Sequence, residues 1–161
     1  IIPKTDQLRR AGVVMYLDAQ YNNVDYYALG PWENYNDRRD GCLMGRYSTT
    51  VEEMVTPYMK PQSCGGREML REVTFTNAAG EGIRVETEGN VSFSALPYTD
   101  EELMNAQHQW ELPKSDRIVV HFDAVTRGVG NASCGADVDT LPQYRVPNKP
   151  LHFKLRFSRA K

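Results

Sequence analysis

The side chains able to do chemistry in this chain are its acids, three histidines, three cysteines and one glycine-rich run, and spacing decides what each can do. Glu33, Asp37 and Asp40 fall in a polar turn, Glu52, Glu53, Glu101 and Glu102 stand where short helices start, and Glu86 and Glu88 alternate along a strand. No two of them form an obvious acid and base pair. His108 lies beside Gln109 and Trp110, while His121 and His152 sit within strand-like alternation, so all three read as structural rather than metal-ligating. Cys42, Cys64 and Cys134 make an odd count without a C-x-x-C pair, which predicts free thiols and no zinc site. No Gly-x-Ser-x-Gly elbow occurs. Gly128, Gly130 and Gly135 follow a strand, but no helix pattern comes after them, so a long loop at the rim of the fold suits them better than a phosphate cradle.

The densest group of polar and aromatic residues is Leu29 to Arg38, Leu-Gly-Pro-Trp-Glu-Asn-Tyr-Asn-Asp-Arg. Gly30-Pro31 ends an apolar run, because proline cannot donate to a sheet ladder. Asn34, Asn36 and Asp37 are suited to bonding neighbouring backbone in Asx turns. Trp32 and Tyr35 offer apolar anchors with polar tips, and Arg38 a fork able to hold Glu33 or Asp37 in two places. Read by itself this is a firmly held surface loop.

The supporting framework reads as short and mostly extended. The chain has 161 residues, 40% of them hydrophobic, enough for one domain with a single core. Its 19 basic and 21 acidic residues are interspersed, net −2, with no basic stripe for a nucleic acid. No apolar run approaches the ~20 residues of a membrane span, and Ile1-Ile2-Pro3 lacks the pattern of a signal peptide.

Gly12 to Ala19 and Val24 to Gly30 are β-rich runs around the turn former Gln20-Tyr21-Asn22-Asn23, which predicts an antiparallel hairpin. Pro31 to Arg67 shows little alternation and reads as mostly irregular, with one helical turn from the capping-box spacing at Thr50. Glu68 to Thr76, Ile83 to Glu88 and Val91 to Leu96 alternate and predict a three-strand meander, with Met69, Val73 and Phe75 on one face. Thr99-Asp100-Glu101-Glu102 opens a helix through about Gln107, with Leu103 and Met104 inward. Arg117 to Val125 and Leu151 to Phe157 are the last strands. About eight strands and two short helices predict an all-β antiparallel sandwich.

Gly30-Pro31-Trp32-Glu33-Asn34-Tyr35-Asn36-Asp37-Arg38 resembles the Gly-Pro-x-Glu-Asn-Tyr-x-Asp-Arg signature of the C-terminal domain of β-galactosidases of glycoside hydrolase family two. Thr56-Pro57-Tyr58-Met59-Lys60-Pro61-Gln62, followed by Gly66-Arg67, resembles the same family's next conserved run at the expected distance. Gly128-Val129-Gly130 and the strand near Leu151 to Phe157 keep the order, so the likeness covers nearly the whole chain.

The resemblance implies a galactose-mutarotase-like sandwich of which this is the C-terminal portion, in a parent that cleaves terminal β-galactosides with retention. Such cleavage needs two carboxylates about 5 to 5.5 Å apart. In the family both come from a separate (β/α)₈ barrel, which takes about 250 residues and cannot lie inside this chain. That barrel also carries magnesium and sodium, and no cofactor is expected in this chain.

By the same resemblance, Trp32, Glu33, Asn34, Tyr35, Arg38, Tyr58 and Arg67 position the domain. The Gly128 to Gly135 loop reaches the mouth of the active site and places Asn131, Ser133 and Cys134 toward substrate. Cys134 stands about where some members carry a stacking tryptophan. The expected partners are the parent's other domains and the galactoside, the expected compartment is the cytoplasm or periplasm, and a second copy of the chain is one way to cover open sheet edges. Arg67 and Arg71, with Glu68, are expected to form an ion-pair group. The rival readings are a stand-alone carbohydrate-binding module using Trp32, Tyr35, Trp110 or Tyr144 as platform, and a purely structural or oligomerisation domain.

Overall fold

The computed structural model describes residues 8–113, 115–129 and 140–160. Eight strands in this part form two antiparallel sheets. In chain order they are β1 (Arg10–Asp18), β2 (Asn23–Gly30), β3 (Leu43–Thr50), β4 (Glu72–Thr76), β5 (Gly82–Glu88), β6 (Ser92–Leu96), β7 (Arg117–Thr126) and β8 (Lys154–Ala160). One helix, α1 (Asp100–Asn105), lies between β6 and β7. A three-stranded sheet runs β1-β7-β6 and a five-stranded sheet β3-β2-β4-β5-β8. The fold is an all-β sandwich.

The core lies between the sheets. Val24, Tyr26 and Ala28 of β2, Val73 and Phe75 of β4, and Val85 of β5 meet Phe93 and Ala95 of β6 and Ile118, Val120 and Phe122 of β7. Each contributes alternate positions, as a pleated strand requires.

Alternation gave the strands but not the sheets. β1 and β2 are not a hairpin: β1 pairs with β7, with Val14 opposite His121, while β2 pairs with β3 and β4 in the other layer. β4 and β5 do pair, yet the third strand of the expected meander, β6, crosses to the small sheet. The stretch from Pro31 to Arg67 contains β3, an edge strand whose Leu43, Met44, Arg46 and Ser48 face solvent. Glu68 to Arg71 is not strand; Met69 has φ 57°, a left-handed conformation that breaks the ladder before Glu72. The last strand begins at Lys154, three residues later than expected.

The capping box at Thr99 is present, with the Thr99 hydroxyl accepting from the Glu102 amide and the Glu102 carboxylate accepting from the Thr99 amide. The helix ends at Asn105; Leu103 is buried, whereas Met104 is 68% exposed. Near Thr50 the reciprocal bonds also form, and a single 3₁₀ turn follows at Glu52–Met54.

The outer face of the small sheet is covered over β6 and β7, while Val14 and Tyr16 of β1 stay exposed. Ser92, Ser94 and Leu96 of β6 and Val119, His121 and Asp123 of β7 point away from the main core, yet all are buried. Leu96 is covered by a second cluster, Cys64 and Leu103 with Val55, Tyr58, Tyr98 and Leu112, from the chain between β3 and β4 and the surroundings of α1; Glu68 lines one cavity with Ser92, Ser94 and Asp123, and Asp100 of α1 lies 3.6 Å from His121.

Candidate functional site

The residue around which this covering segment is built is Glu33. Its carboxylate is 11% exposed and accepts from the hydroxyls of Thr56 (2.9 Å) and Tyr58, the amide of Gly65 (2.9 Å) and Arg38 Nη2 (2.6 Å), with the Tyr35 hydroxyl at 3.5 Å. Burial pushes the acid toward its neutral form. The Tyr58, Gly65 and Thr56 hydrogen bonds and the Arg38 charge outweigh it and hold the carboxyl below its ordinary value. Burial and the adjacent Glu33 also raise the Tyr58 hydroxyl, so it stays a donor. Arg38 grips Glu33 through one nitrogen, which Tyr58 shares at 3.2 Å.

Gly65 makes this possible. Its φ of +72° favours glycine, and a Cβ there would come within 2.6 Å of the Met54 carbonyl oxygen.

Asn34 is fully buried and holds the same segment from the other side. Its amide nitrogen donates to the carbonyls of Leu29 (3.0 Å) and Trp32 (2.9 Å), and its oxygen accepts the Glu68 amide (2.8 Å). Its own backbone N–H reaches Gly66 O at 2.8 Å. The bonds to Leu29 and Trp32 are local, as expected of an Asx residue, but the others span more than thirty positions. Asn36 departs further: its Nδ2 donates to Thr126 O at 2.7 Å, ninety residues away.

Residues 66 to 71 therefore tie the two sheets together. Leu29 N bonds Glu68 O and Arg71 N bonds Tyr27 O on the β2 side, while Arg67 and Phe93 exchange both backbone bonds on the β6 side. Arg67 is 5% exposed, its Nε donating to the Tyr26 hydroxyl (3.2 Å) and its guanidinium lying 5.8 Å from that ring's centre. The expected ion-pair group is not formed as drawn: Glu68 meets Arg39 at 3.8 Å and accepts from Thr126 at 3.2 Å, and Arg71 reaches the Gly89 carbonyl.

The glycine-run loop starts beside this segment. Gly128 N donates to Tyr144 O at 2.8 Å, and Thr140 Oγ1 donates to Gly128 O at 3.0 Å. A Cβ on Gly128 would lie 2.6 Å from the Asp37 carboxyl, so the signature loop packs against the root of the later loop. Asn131, Ser133 and Cys134 lie outside the described residues.

Of the signature aromatics, Tyr35 is an anchor at 8% exposure, but Trp32 turns outward and is 74% exposed. Trp110 is also exposed, with one face stacked on His108 at 4.2 Å. Cys42 and Cys64 are free thiols.

A second group of acids escaped sequence reasoning. Asp123 and Glu68 are each 4% exposed and line, with Arg10, Ser92, Ser94 and Thr126, a cavity of about 10 Å³. That space is no larger than a water molecule needs. Arg10 Nη1 stands 3.7 Å from Asp123 and makes no hydrogen bond. Burial therefore dominates and raises both acids, Asp123 to about 6. Beside them His121 Nδ1 has no hydrogen-bond partner, and Nε2 is 3.6 Å from Asp100; burial and Arg10 lower this histidine to about 4. It is thus not the fully satisfied histidine expected. The signal that could have found these residues is polarity at two successive outward positions on each strand, Ser92 and Ser94 of β6 and His121 and Asp123 of β7, a pattern equally typical of a solvent face.

Among the described residues, no group of three or more His, Cys, Asp or Glu is gathered to hold a metal ion. The class defined by fold and site is a β-sandwich whose irregular connections are fixed internally by buried polar side chains, without an open pair of acids among the described residues.

Residues 2–157 match the family model described as beta galactosidase small chain, and the chain belongs to that family. It is 35% identical over 124 residues to a beta-galactosidase of Priestia megaterium, 37% over 134 to one of Halalkalibacterium halodurans and 35% over 153 to one of Actinobacillus pleuropneumoniae. These alignments cover 77%, 82% and 93% of this chain, but only 12%, 13% and 14% of those proteins.

Proposed function

We propose that this chain is the C-terminal β-sandwich portion of a glycoside hydrolase family two β-galactosidase, whose whole protein hydrolyses terminal non-reducing β-D-galactosides with retention. Bond breaking belongs to a separate (β/α)₈ barrel, and this portion supports and borders that barrel's active site. The observation that carries the reading is the commitment of the buried acids: Glu33 is consumed by hydrogen-bond donors, and Glu68 and Asp123 face a cavity too small for a sugar ring. A retaining pair needs room for a pyranose between two carboxyls.

In this reading Glu33, Asn34, Tyr35, Arg38, Tyr58 and Arg67 act as positioning residues. They hold the covering segment rigid, and through Asn36, Asp37 and Gly128 they set the root of the loop that carries Asn131, Ser133 and Cys134 toward substrate. The parent's other domains are the partners, its compartment is the cytoplasm, and magnesium and sodium belong to the barrel.

The test is an assay of the isolated, folded chain on a chromogenic galactoside, alone and mixed with a parent enzyme lacking this portion. No turnover alone and restored turnover on mixing are expected; robust turnover by the lone chain overturns the reading.

A further inference from the structure

The signature segment keeps one residue out of its internal network. Glu33, Asn34 and Tyr35 point into the protein, while the Trp32 indole stands 74% exposed at the edge of a hollow of about 540 Å³. Asp37, Arg38, Arg39, Asp40 and Cys42 also line it. The volume lies in the range of small-molecule sites, and the hollow opens broadly to solvent.

The lining selects the kind of ligand. Glu33 and Arg38 pair with each other, which leaves Asp37 and Asp40 against Arg39, so phosphates and other anions are disfavoured. One exposed indole amid acids and guanidinium groups is too little apolar surface for a hydrocarbon ligand. A neutral molecule with an apolar C–H face and many hydroxyls fits both features, since the indole takes the face while carboxylate and guanidinium groups accept from and donate to vicinal hydroxyls. Tyr35 is buried, and the more exposed Trp110 has one face taken by His108.

We propose that the Trp32 hollow is a saccharide-binding subsite that takes one or two pyranose rings, with Trp32 as the stacking platform and Asp40 and Arg39 as hydroxyl partners. It requires no turnover, so it stands or falls separately from the proposed role in a β-galactosidase. The openness of the hollow implies weak, rapidly exchanging binding.

Trp110→Phe leaves Trp32 as the sole tryptophan, and its fluorescence is then followed during titration with lactose, methyl β-galactoside and maltose, with calorimetry in parallel. Saturable binding with Kd on the order of 1–10 mM is expected for at least one of these sugars. Trp32→Ala should weaken the calorimetric signal more than tenfold and Asp40→Asn about threefold to tenfold, with melting unchanged in both. A linear response for all three sugars, or saturable binding that survives Trp32→Ala, overturns the proposal. The second result would mean that the indole serves another surface.

Discussion

Glu33, largely buried, and Asp123, fully buried, are both acids on the outer side of the small sheet, yet the protein treats them in opposite ways. Glu33 meets three hydroxyls, an amide and a guanidinium, and its carboxyl is held below the ordinary value. Asp123 has an arginine at 3.7 Å, and burial raises it to about 6. The difference teaches that donors, not depth, decide whether a buried carboxylate keeps its charge. Where donors converge, an irregular segment becomes rigid; where they do not, a seam between the small sheet and its covering segment stores a cost that pH can reveal.

The largest effect should come from taking the charge out of the well-supplied site. Glu33→Gln leaves the donors of Tyr58, Thr56 and Gly65 facing a neutral amide, one end of which is itself a donor. A loss of about 3 kcal/mol is expected in the denaturant midpoint at pH 7, with Arg38, being half-exposed, contributing little of it.

The same substitution at the poorly supplied site should do the reverse. Asp123→Asn removes a charge that the fold disfavours, and at pH 8 a gain of about 1–2 kcal/mol is expected. At pH 4, where the acid is already protonated in the folded state, the gain should vanish.

The pH profile sharpens this. Glu33, lowered in the fold, contributes stability above its unfolded value of 4.5 that is lost as pH falls through the folded value. Asp123, raised from 3.8 to about 6, contributes stability below 3.8 that is lost as pH rises toward 6. His121, lowered from 6.5 to about 4, runs against it and loses stability as pH falls from 6.5 to 4. These two nearly cancel between pH 4 and 6, while Glu68, also raised, adds to the Asp123 side, and Arg10, Asp100 and Arg39 supply the facing charges. Urea midpoints measured across that window should fall gently with pH in the native chain, fall more steeply in His121→Gln, and lose that fall or rise with pH in Asp123→Asn.

Smaller effects lie at the margins of the two sites. Gly128→Ala sets a methyl against Asp37 and Tyr144, and a loss of about 1 kcal/mol in thermal unfolding is expected. Arg39→Ala removes a partly exposed charge 3.8 Å from Glu68, worth ~0.5 kcal/mol at low salt and less at high salt.

How much of this was legible follows from the same physics. β2, β4 and β5 announce themselves because one face is apolar and the other is not. β3 does not, because an edge strand such as Leu-Met-Gly-Arg-Tyr-Ser-Thr-Thr meets solvent along much of its length and carries no such contrast. Which sheet a strand joins is not written in its alternation, so the expected neighbours of β1 and β6 differ from the observed ones. At the site, the resemblance marked Glu33, Asn34, Arg38 and Arg67, but spacing alone could not show that Glu33 gathers donors from residues 56 to 65. Asp123 stayed hidden because Val-His-Phe-Asp reads as a half-exposed strand, whereas an irregular segment and a helix cover its outer face.

If Glu33, Glu68 and Asp123 hold structure and do not break bonds, kcat of the proposed full-length β-galactosidase on a galactoside stays within about tenfold of the unmodified enzyme when Glu33→Gln, Glu68→Gln and Asp123→Asn are introduced one at a time, at a temperature where each variant is folded by circular dichroism. A fall of 10³-fold or more in a folded variant would place that carboxylate in the chemistry and contradict a purely structural role.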